Sequence, residues 1–252
     1  MVGAGIALAV IAVLVFVAPV PQDPAYHAFA DGRAFLGIAN FGNVASNLPF
    51  LVVGAWGVGY VMRHGQAVCL PGLELAYVVF FSGVMLTALG SGYYHLVPAN
   101  EPLAWDRLPM TIAFAGLFAI IVGEYVSARA GRLLVIPLLI IGIVSVEYWI
   151  WTESRGAGDL RPYALFQFLP MLLIPVILLL YKPAIGHVRY FWMMLGFYVL
   201  SKVTEFLDAH IFAAGGIVSG HTLKHLFAAA AAGTLLYALM QRRLPARAAN
   251  DD

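Results

Sequence analysis

Long apolar stretches separated by short polar loops dominate this chain. Runs of about 20 apolar residues recur along its whole length, and a run of that length can cross a bilayer as an α-helix. The pattern predicts eight membrane segments, at residues 3–20, 43–62, 73–97, 108–128, 132–152, 162–181, 189–213 and 219–241. We therefore expect an all-α polytopic membrane bundle with a seven-helix core and one extra N-terminal helix.

The segments divide the chain into three expected parts. Residues 1–30 form an N-terminal transmembrane helix and loop, residues 31–241 the core, and residues 242–252 a short cytoplasmic tail. The alternative for segment 3–20 is a cleaved signal peptide. Its start, Met1-Val-Gly-Ala-Gly, carries no positive charge, and no clean small-x-small cleavage site follows, so we favour a retained helix.

Composition narrows the class further. The chain is 62% hydrophobic and only 11% charged, whereas charged residues make up about a quarter of a soluble domain. A formal net charge of +1 argues against nucleic acid as a partner and leaves the bilayer and its lipids. The single Cys69 can form neither an internal disulfide nor a thiolate metal site.

Basic residues near the segment ends predict the orientation, because Lys and Arg are enriched in cytoplasmic loops. The ends after the even-numbered segments carry Arg63, Arg129, Arg132, Lys182, Arg189, Arg242, Arg243 and Arg247, and the opposite ends carry Arg33, Arg107, Arg155 and Arg161. Eight against four favours cytoplasmic N- and C-termini. With no retention or lipidation signal, the plasma (inner) membrane is the expected location.

The order of the segments brings five polar residues to one membrane face, the non-cytoplasmic one in this orientation. His95 closes segment 73–97, Asp106 directly precedes segment 108–128, and His221 and His225 open segment 219–241. Residues four apart lie on the same side of a helix, about 5–6 Å apart at Cβ. His221 and His225 therefore share a face, and Ser91 lies one turn before His95.

These residue types are typical of metal-dependent hydrolysis. Three imidazoles are the protein ligands of a catalytic zinc that keeps one position open. We expect His95, His221 and His225 to bind zinc, Asp106 to act as general base and Ser91 to stabilise an oxyanion. The alternatives are that Ser91 only packs helices together and that Asp106 only caps its helix.

Segment 189–213 carries further charges that predict a supporting role. Lys202 and Glu205 are three apart and are expected to pair. Asp208 and Glu205 are candidates for contacts behind the metal ligands. For Lys224 three roles stay open: snorkelling, pairing with Asp208 or Glu205, and binding a product carboxylate.

The chain resembles the alkaline ceramidase family in four motifs: Asn40-Phe-Gly-Asn43-Val-Ala-Ser46-Asn47, Gly90-Ser91-Gly92-Tyr-Tyr-His95, Asp106-Arg-Leu-Pro109-Met110 and His221-Thr-Leu-Lys-His225. The similarity covers about residues 31–241. This family belongs to a superfamily of seven-helix membrane hydrolases that includes the adiponectin-type receptors. The resemblance implies zinc on the three histidines, and Ser91 and Asp106 assisting hydrolysis of ceramide to a fatty acid and a sphingoid amine.

One family feature is not matched. Eukaryotic members hold calcium with acidic residues around the start of the first core helix, where this chain offers Asp23, Asp31 and Asn40. Calcium usually takes two or more carboxylates, and Asn40 stands where an acid is expected. A calcium site of that design is therefore not expected.

The sequence favours a zinc-dependent membrane hydrolase that cleaves the amide bond of a ceramide-like lipid. Two alternatives remain open. The same zinc chemistry would serve a phospholipid or acyl-ester hydrolase. A seven-helix lipid receptor or transporter would use zinc structurally, with Asp106 as a fourth ligand.

Overall fold

The computed structural model describes residues 10–186, 188–242 and 244, and their regular structure is helical apart from one isolated bridge between Phe35 and Ile38. This confirms the predicted all-α class. A 3-10 helix at Pro24–His27 precedes the bundle, whose helices are α1 (Phe41–Ala45), α2 (Leu48–Val68), α3 (Glu74–Leu96), α4 (Asn100–Tyr125), α5 (Ala128–Glu153), α6 (Arg161–Leu180), α7 (Val188–Phe206), α8 (Asp208–Gly215) and α9 (Gly220–Met240).

Six spans within the described residues are long and apolar enough to cross a membrane. They are Phe41–Val68, which joins α1 and α2, together with α3, α4, α5, α6 and α9. The chain thus has the architecture of an integral multi-pass membrane protein. Its predicted orientation and the type of membrane stay predictions.

Two of the eight predicted segments differ from expectation. Segment 189–213 is two helices, because the chain breaks at Leu207 between α7 and α8. Charged Arg189, Lys202 and Glu205 also set α7 apart from the six apolar spans. Of segment 3–20, residues 10–16 are helical and residues 1–9 lie outside the described part. Arg243, Arg247 and most of the predicted tail also lie outside it.

Close packing of α3 on α4 positions the catalytic candidates. A Cβ atom at Gly83 would collide with the backbone of Ala113, and one at Gly90 with the carbonyl of Trp105. Glycine at these positions lets the two helix backbones approach closely, as small residues do in membrane bundles. The contact at Gly90 places Ser91 beside the helix turn that carries Asp106.

The helices form a bundle with one loosely packed side. α7 packs against α9, α9 against α2, α2 against α3, and α3 against α4, which in turn contacts α5 and α6. Over the residues described, α6 and α7 make little contact with each other, although both line the same cavity. The cavity is therefore walled on this side by two helices that make little contact with each other.

Candidate metal centre

Three buried histidines meet at one end of the bundle, as the sequence predicted. His95 comes from the last turn of α3, and His221 and His225 come from the first two turns of α9. The ring centroids of each pair lie 4.9 Å apart, and one ligand atom from each residue lies within 4.8 Å of the others. This is the only group of three or more such residues among those described that could hold a metal ion.

The arrangement fits a metal ion better than a hydrogen-bonded cluster. The Nε2 atoms of His95 and His225 are 3.3 Å apart. With Zn–N bonds of ~2.0–2.1 Å, tetrahedral geometry separates two ligand nitrogens by about the same distance. His221 Nε2 is buried and has no hydrogen-bond partner in the described chain. A buried polar atom without a partner is costly, and a metal ion would remove that cost.

Ser46 determines which nitrogen of His225 faces the other two histidines. The Ser46 hydroxyl donates to the Asn43 carbonyl at 3.1 Å, and its oxygen lies 2.7 Å from His225 Nδ1. The hydroxyl has a single proton, so both contacts are hydrogen bonds at once only if the hydroxyl donates to Asn43 and His225 Nδ1 donates to Ser46. The neutral ring then carries its lone pair on Nε2, the atom directed at His95.

Ser91 and Asp106 lie where the sequence predicted them, on the cavity wall beside the histidines. Both side chains are buried, the Ser91 hydroxyl interacts with the Asp106 carboxyl, and both residues line the cavity together with His225. Asp106 lies within α4, in its second turn, so it does not cap that helix as the alternative supposed.

Asp208 contacts a metal-ligand residue, but through the backbone. Its Oδ1 accepts a hydrogen bond from the backbone N–H of His221 at 2.7 Å, and its Oδ2 accepts one from Ala30 N–H at 3.0 Å. The predicted bond from Asp208 to an imidazole is not what the structure shows. The carboxylate instead fixes the start of α9, and the break at Leu207 allows it to turn there.

Lys202, Glu205 and Lys224 form one ion-pair cluster next to the centre. Lys202 Nζ lies 2.7 Å from Glu205 Oε2, and Lys224 Nζ lies 2.5 Å from Glu205 Oε1. The predicted pairing of Lys202 with Glu205 is confirmed. Of the roles left open for Lys224, the structure shows pairing with Glu205.

The segment before α1, residues 18–40, crosses the metal end of the bundle, and we call it the N-terminal strap. The Phe29 ring packs against His95 and His221, with 4.6 Å between ring centroids in both cases. His27 bridges the Tyr94 hydroxyl and Asn100 Oδ1 at 2.9 Å each. The strap therefore lies directly on two of the three candidate metal ligands.

The acidic residue expected near a calcium site is bound to arginine instead. Asp31 Oδ1 accepts from Arg33 Nε at 2.8 Å, and Asp31 Oδ2 accepts from Arg33 Nη2 at 2.8 Å. Asn40 donates its Nδ2 to the backbone carbonyl of His95 at 2.9 Å. Asn40 thus holds the strap to the metal end, whereas Asp31 holds the Arg33 side chain within the strap.

A cavity of about 130 Å³ runs from the metal centre into the bundle. Its polar end carries Ser91, Asp106, Lys202, Lys224 and His225, and its deeper walls are the apolar side chains Phe80, Val84, Phe114, Leu117, Met171, Met194, Ala231 and Ala232. From Ser91 to Phe80 along α3 the cavity spans ~16 Å at 1.5 Å per residue. That is about half of a ~30 Å hydrocarbon core.

Comparison with known proteins adds no assignment, since neither the protein-family models nor the curated proteins contain a match to this chain. The resemblance to the alkaline ceramidases therefore stays a prediction from the motifs.

Sequence reasoning missed the contacts that come from the strap. Phe29 and His27 carry no periodic signal, because the segment that holds them is neither a helix of the bundle nor a recognisable motif. Ser46 belongs to the first of the four motifs, but the motif alone did not indicate its contact with His225. Its position four residues before Phe50, which also packs on His225, was the available clue.

Proposed function

We propose that this protein is a zinc-dependent membrane hydrolase that cleaves the amide bond of a ceramide-like lipid. The observation that carries the proposal is the juxtaposition of three buried histidines with Ser91 and Asp106 at the polar end of a cavity whose deeper walls are apolar. Each part has a role in hydrolysing a lipid, and few other functions need all of them together.

The histidines suit a catalytic zinc more than a structural one. Structural zinc sites are usually closed by four protein ligands, whereas catalytic sites have three and an open position. The described residues offer three ligands converging at this point. Zinc, when bound, supplies a water that is activated as a nucleophile near neutral pH.

Asp106 and Ser91 supply the groups that amide hydrolysis needs from the protein. The Asp106 carboxylate is the proton acceptor, since a general base must face the space where the water and substrate meet. Ser91 donates its hydroxyl toward the carbonyl oxygen as negative charge develops there. Their contact with each other holds both groups in place before the substrate arrives.

The cavity accounts for a lipid substrate. Its polar end lies at the metal centre, so an acyl chain would extend into the apolar part while the amide stays near Ser91 and Asp106. The loose contact between α6 and α7 offers a lateral route from the bilayer. Ceramide is the lipid amide that the four motifs imply, and the products would be a fatty acid and a sphingoid amine.

The proposal predicts that metal and activity disappear together in a ligand variant. Either His221→Ala or His225→Ala removes one of three ligands, so bound zinc should fall below about one tenth of the wild-type content and hydrolysis should be lost. The measurement is zinc content together with fatty acid released from ceramide, N-acylethanolamine and phospholipid by the purified full-length protein in detergent.

The control is His210→Ala, because His210 is an exposed histidine of α8 outside the triad. It should retain zinc and activity. Activity that survives in a zinc-free ligand variant would refute the proposal. Release from an ester lipid alone would keep the zinc chemistry and change the substrate, and full zinc occupancy with no turnover of any lipid would indicate a receptor or transporter.

A further inference from the structure

Two of the three lysines in this chain lie on the wall of the cavity. Lys202 of α7 and Lys224 of α9 both line it, whereas Glu205, to which both are bonded, is not among the described residues that do. The carboxylate thus sits behind the two ammonium groups as seen from the cavity. Each ammonium has three donors, and the structure assigns one of each to Glu205.

Polar side chains continue this patch on the same wall. Gln167, Tyr198 and Ser201 line the cavity next to the lysines. The Tyr198 hydroxyl lies beside the Gln167 amide but makes no hydrogen bond of normal length within the described residues. The Ser201 hydroxyl donates to the Tyr198 carbonyl at 2.7 Å, so the donors left available on this wall are the Tyr198 hydroxyl and the remaining ammonium protons of the two lysines.

The charges on this wall favour an anion. The Lys202–Glu205–Lys224 cluster carries a net charge of +1, and it is the two ammonium groups that line the cavity, whereas Asp106 contributes a negative charge beside Ser91. A neutral lipid would leave the remaining ammonium donors without partners once water is displaced, which is costly. A carboxylate would accept charge-assisted bonds from both lysines.

We propose that Lys202 and Lys224, backed by Glu205, form a subsite that binds the carboxylate of a lipid beside the metal centre. This inference rests on the proposed function, which supplies the reaction whose product or substrate carries the carboxylate. Hydrolysis adds water across the amide bond and gives a carboxylate and an ammonium ion at neutral pH. The bound carboxylate therefore comes either from the fatty acid product or from a substrate whose amine half is an amino acid.

Two matched lipid pairs test this without turnover. Palmitate and hexadecanol differ in the carboxylate of a fatty acid product. N-palmitoylglycine and N-palmitoylethanolamine differ in the carboxylate of the amine half. Binding of all four is measured on full-length protein dialysed against chelator until no zinc remains, so that neither hydrolysis nor a metal–carboxylate bond contributes.

At least one acid should bind about tenfold or more tightly than its neutral partner, as two charge-assisted bonds would give. Lys202→Met should abolish that advantage, and Lys224→Met should do the same. Lys202 is the decisive position because its side chain is 32% exposed, so its loss is compatible with folding. Lys182→Met, in an exposed loop, is the matched control and should keep the advantage.

The pattern of results identifies the source of the carboxylate. An advantage for palmitate alone indicates a product site, and an advantage for N-palmitoylglycine alone indicates an N-acyl amino acid substrate. Equal binding within both pairs, or an advantage that persists in Lys202→Met, overturns the subsite. Failure of the proposed function would be visible separately, as absence of hydrolysis by the zinc-loaded protein.

Discussion

The hydroxyl of Ser46 illustrates how one buried group can set the chemistry of a metal ligand. It has a single proton, and the Asn43 carbonyl receives it. His225 is left with only one tautomer that satisfies both bonds, the one whose Nε2 lone pair faces His95. A hydrogen bond of this kind behind a ligating imidazole fixes its orientation and raises its affinity for metal.

Replacing this hydroxyl should weaken zinc binding without removing a ligand. Ser46→Ala is expected to lower zinc affinity by about 10–100-fold, because the His225 ring loses the bond that fixes its tautomer. The measurement is competition for zinc against a chromophoric chelator.

The matched control is Ser145→Ala, which removes another buried serine whose hydroxyl bonds only the carbonyl of Gly142 in its own helix. Its zinc affinity should equal that of the wild type. Unchanged affinity in Ser46→Ala would show that the tautomer is fixed by something else.

At the scale of elements, two short turns anchor the ends of separate helices in the same way. In Asp31-Gly-Arg33 and Asp159-Leu-Arg161, the arginine donates its backbone N–H and two side-chain nitrogens to the aspartate. Arg33 also donates to the carbonyls of Gly216 and Ile217, just after α8, and Arg161 donates to those of Leu14 and Val17. Each guanidinium thus caps a helix C-terminus, where a positive charge is favourable.

This arrangement makes the strap sensitive to acid. The hydrogen bonds from Arg33 hold the pKa of Asp31 below its ordinary value of about 3.9. A carboxyl whose pKa is lower in the folded state stabilises that state at pH values above its pKa in the unfolded chain. This contribution is lost as the pH falls through the pKa of the folded state. The strap should therefore loosen below about pH 4.

A spin label on Ala28→Cys, an exposed position of the strap, would report this loosening as increased mobility between pH 7 and pH 3. In an Asp31→Asn background the label should already be mobile at pH 7 and should change little on acidification. Asp159→Asn removes the equivalent carboxylate from the other turn and should leave the label as in the wild type. A label that responds to acid equally in both backgrounds would contradict the role of Asp31.

The sequence predicted the helices of the bundle more accurately than the segments between them. The length of the apolar runs identified α2 to α6 and α9. A membrane span must pair its backbone hydrogen-bonding groups within the helix and needs a continuous apolar surface. The same criterion missed the break at Leu207, since residues 189–213 read as one apolar run. The break lies beside Asp208, whose partners His221 and Ala30 are distant along the chain.

At the scale of the whole molecule, a second buried polar group closes the opposite end of the bundle. Arg242, just after α9, is fully buried against Glu124 at the end of α4, with Nη1–Oε1 at 2.5 Å and Nη2–Oε2 at 3.0 Å. The Tyr77 hydroxyl of α3 bonds both residues. The helices α3 and α9, which meet at the metal centre, are thus also joined at their opposite ends, together with the end of α4.

Breaking this pair should destabilise the whole bundle. Arg242→Met leaves the Glu124 charge buried without its cation, which costs ~3–5 kcal/mol of unfolding free energy. The double variant Arg242→Met with Glu124→Leu should recover most of that loss, because replacing both charges by apolar groups is often neutral. The measurement is equilibrium unfolding in detergent, with Arg129→Met at an exposed helix start as the control. A double variant as unstable as the single one would contradict this interpretation.

The residues of the site that lie on membrane spans were predictable from the sequence. His95, Asp106, His221 and His225 come together because the order and length of the helices bring their ends to one face. The position of Ser91 was predictable because it lies four residues, about one helical turn, before His95. The strap contacts and the tautomer of His225 were not predictable, because they depend on where an irregular segment folds back.

The position of Phe29 on His95 and His221 has a consequence for the kinetics of metal exchange. The strap that carries it is tied down by Ala30, Arg33, Asn40 and His27, so an ion bound at the centre would leave only when several bonds open together. The rate of strap opening would then limit the dissociation of such an ion. A metal ion acquired during folding would then be kinetically trapped, and a brief pulse of chelator would leave it bound.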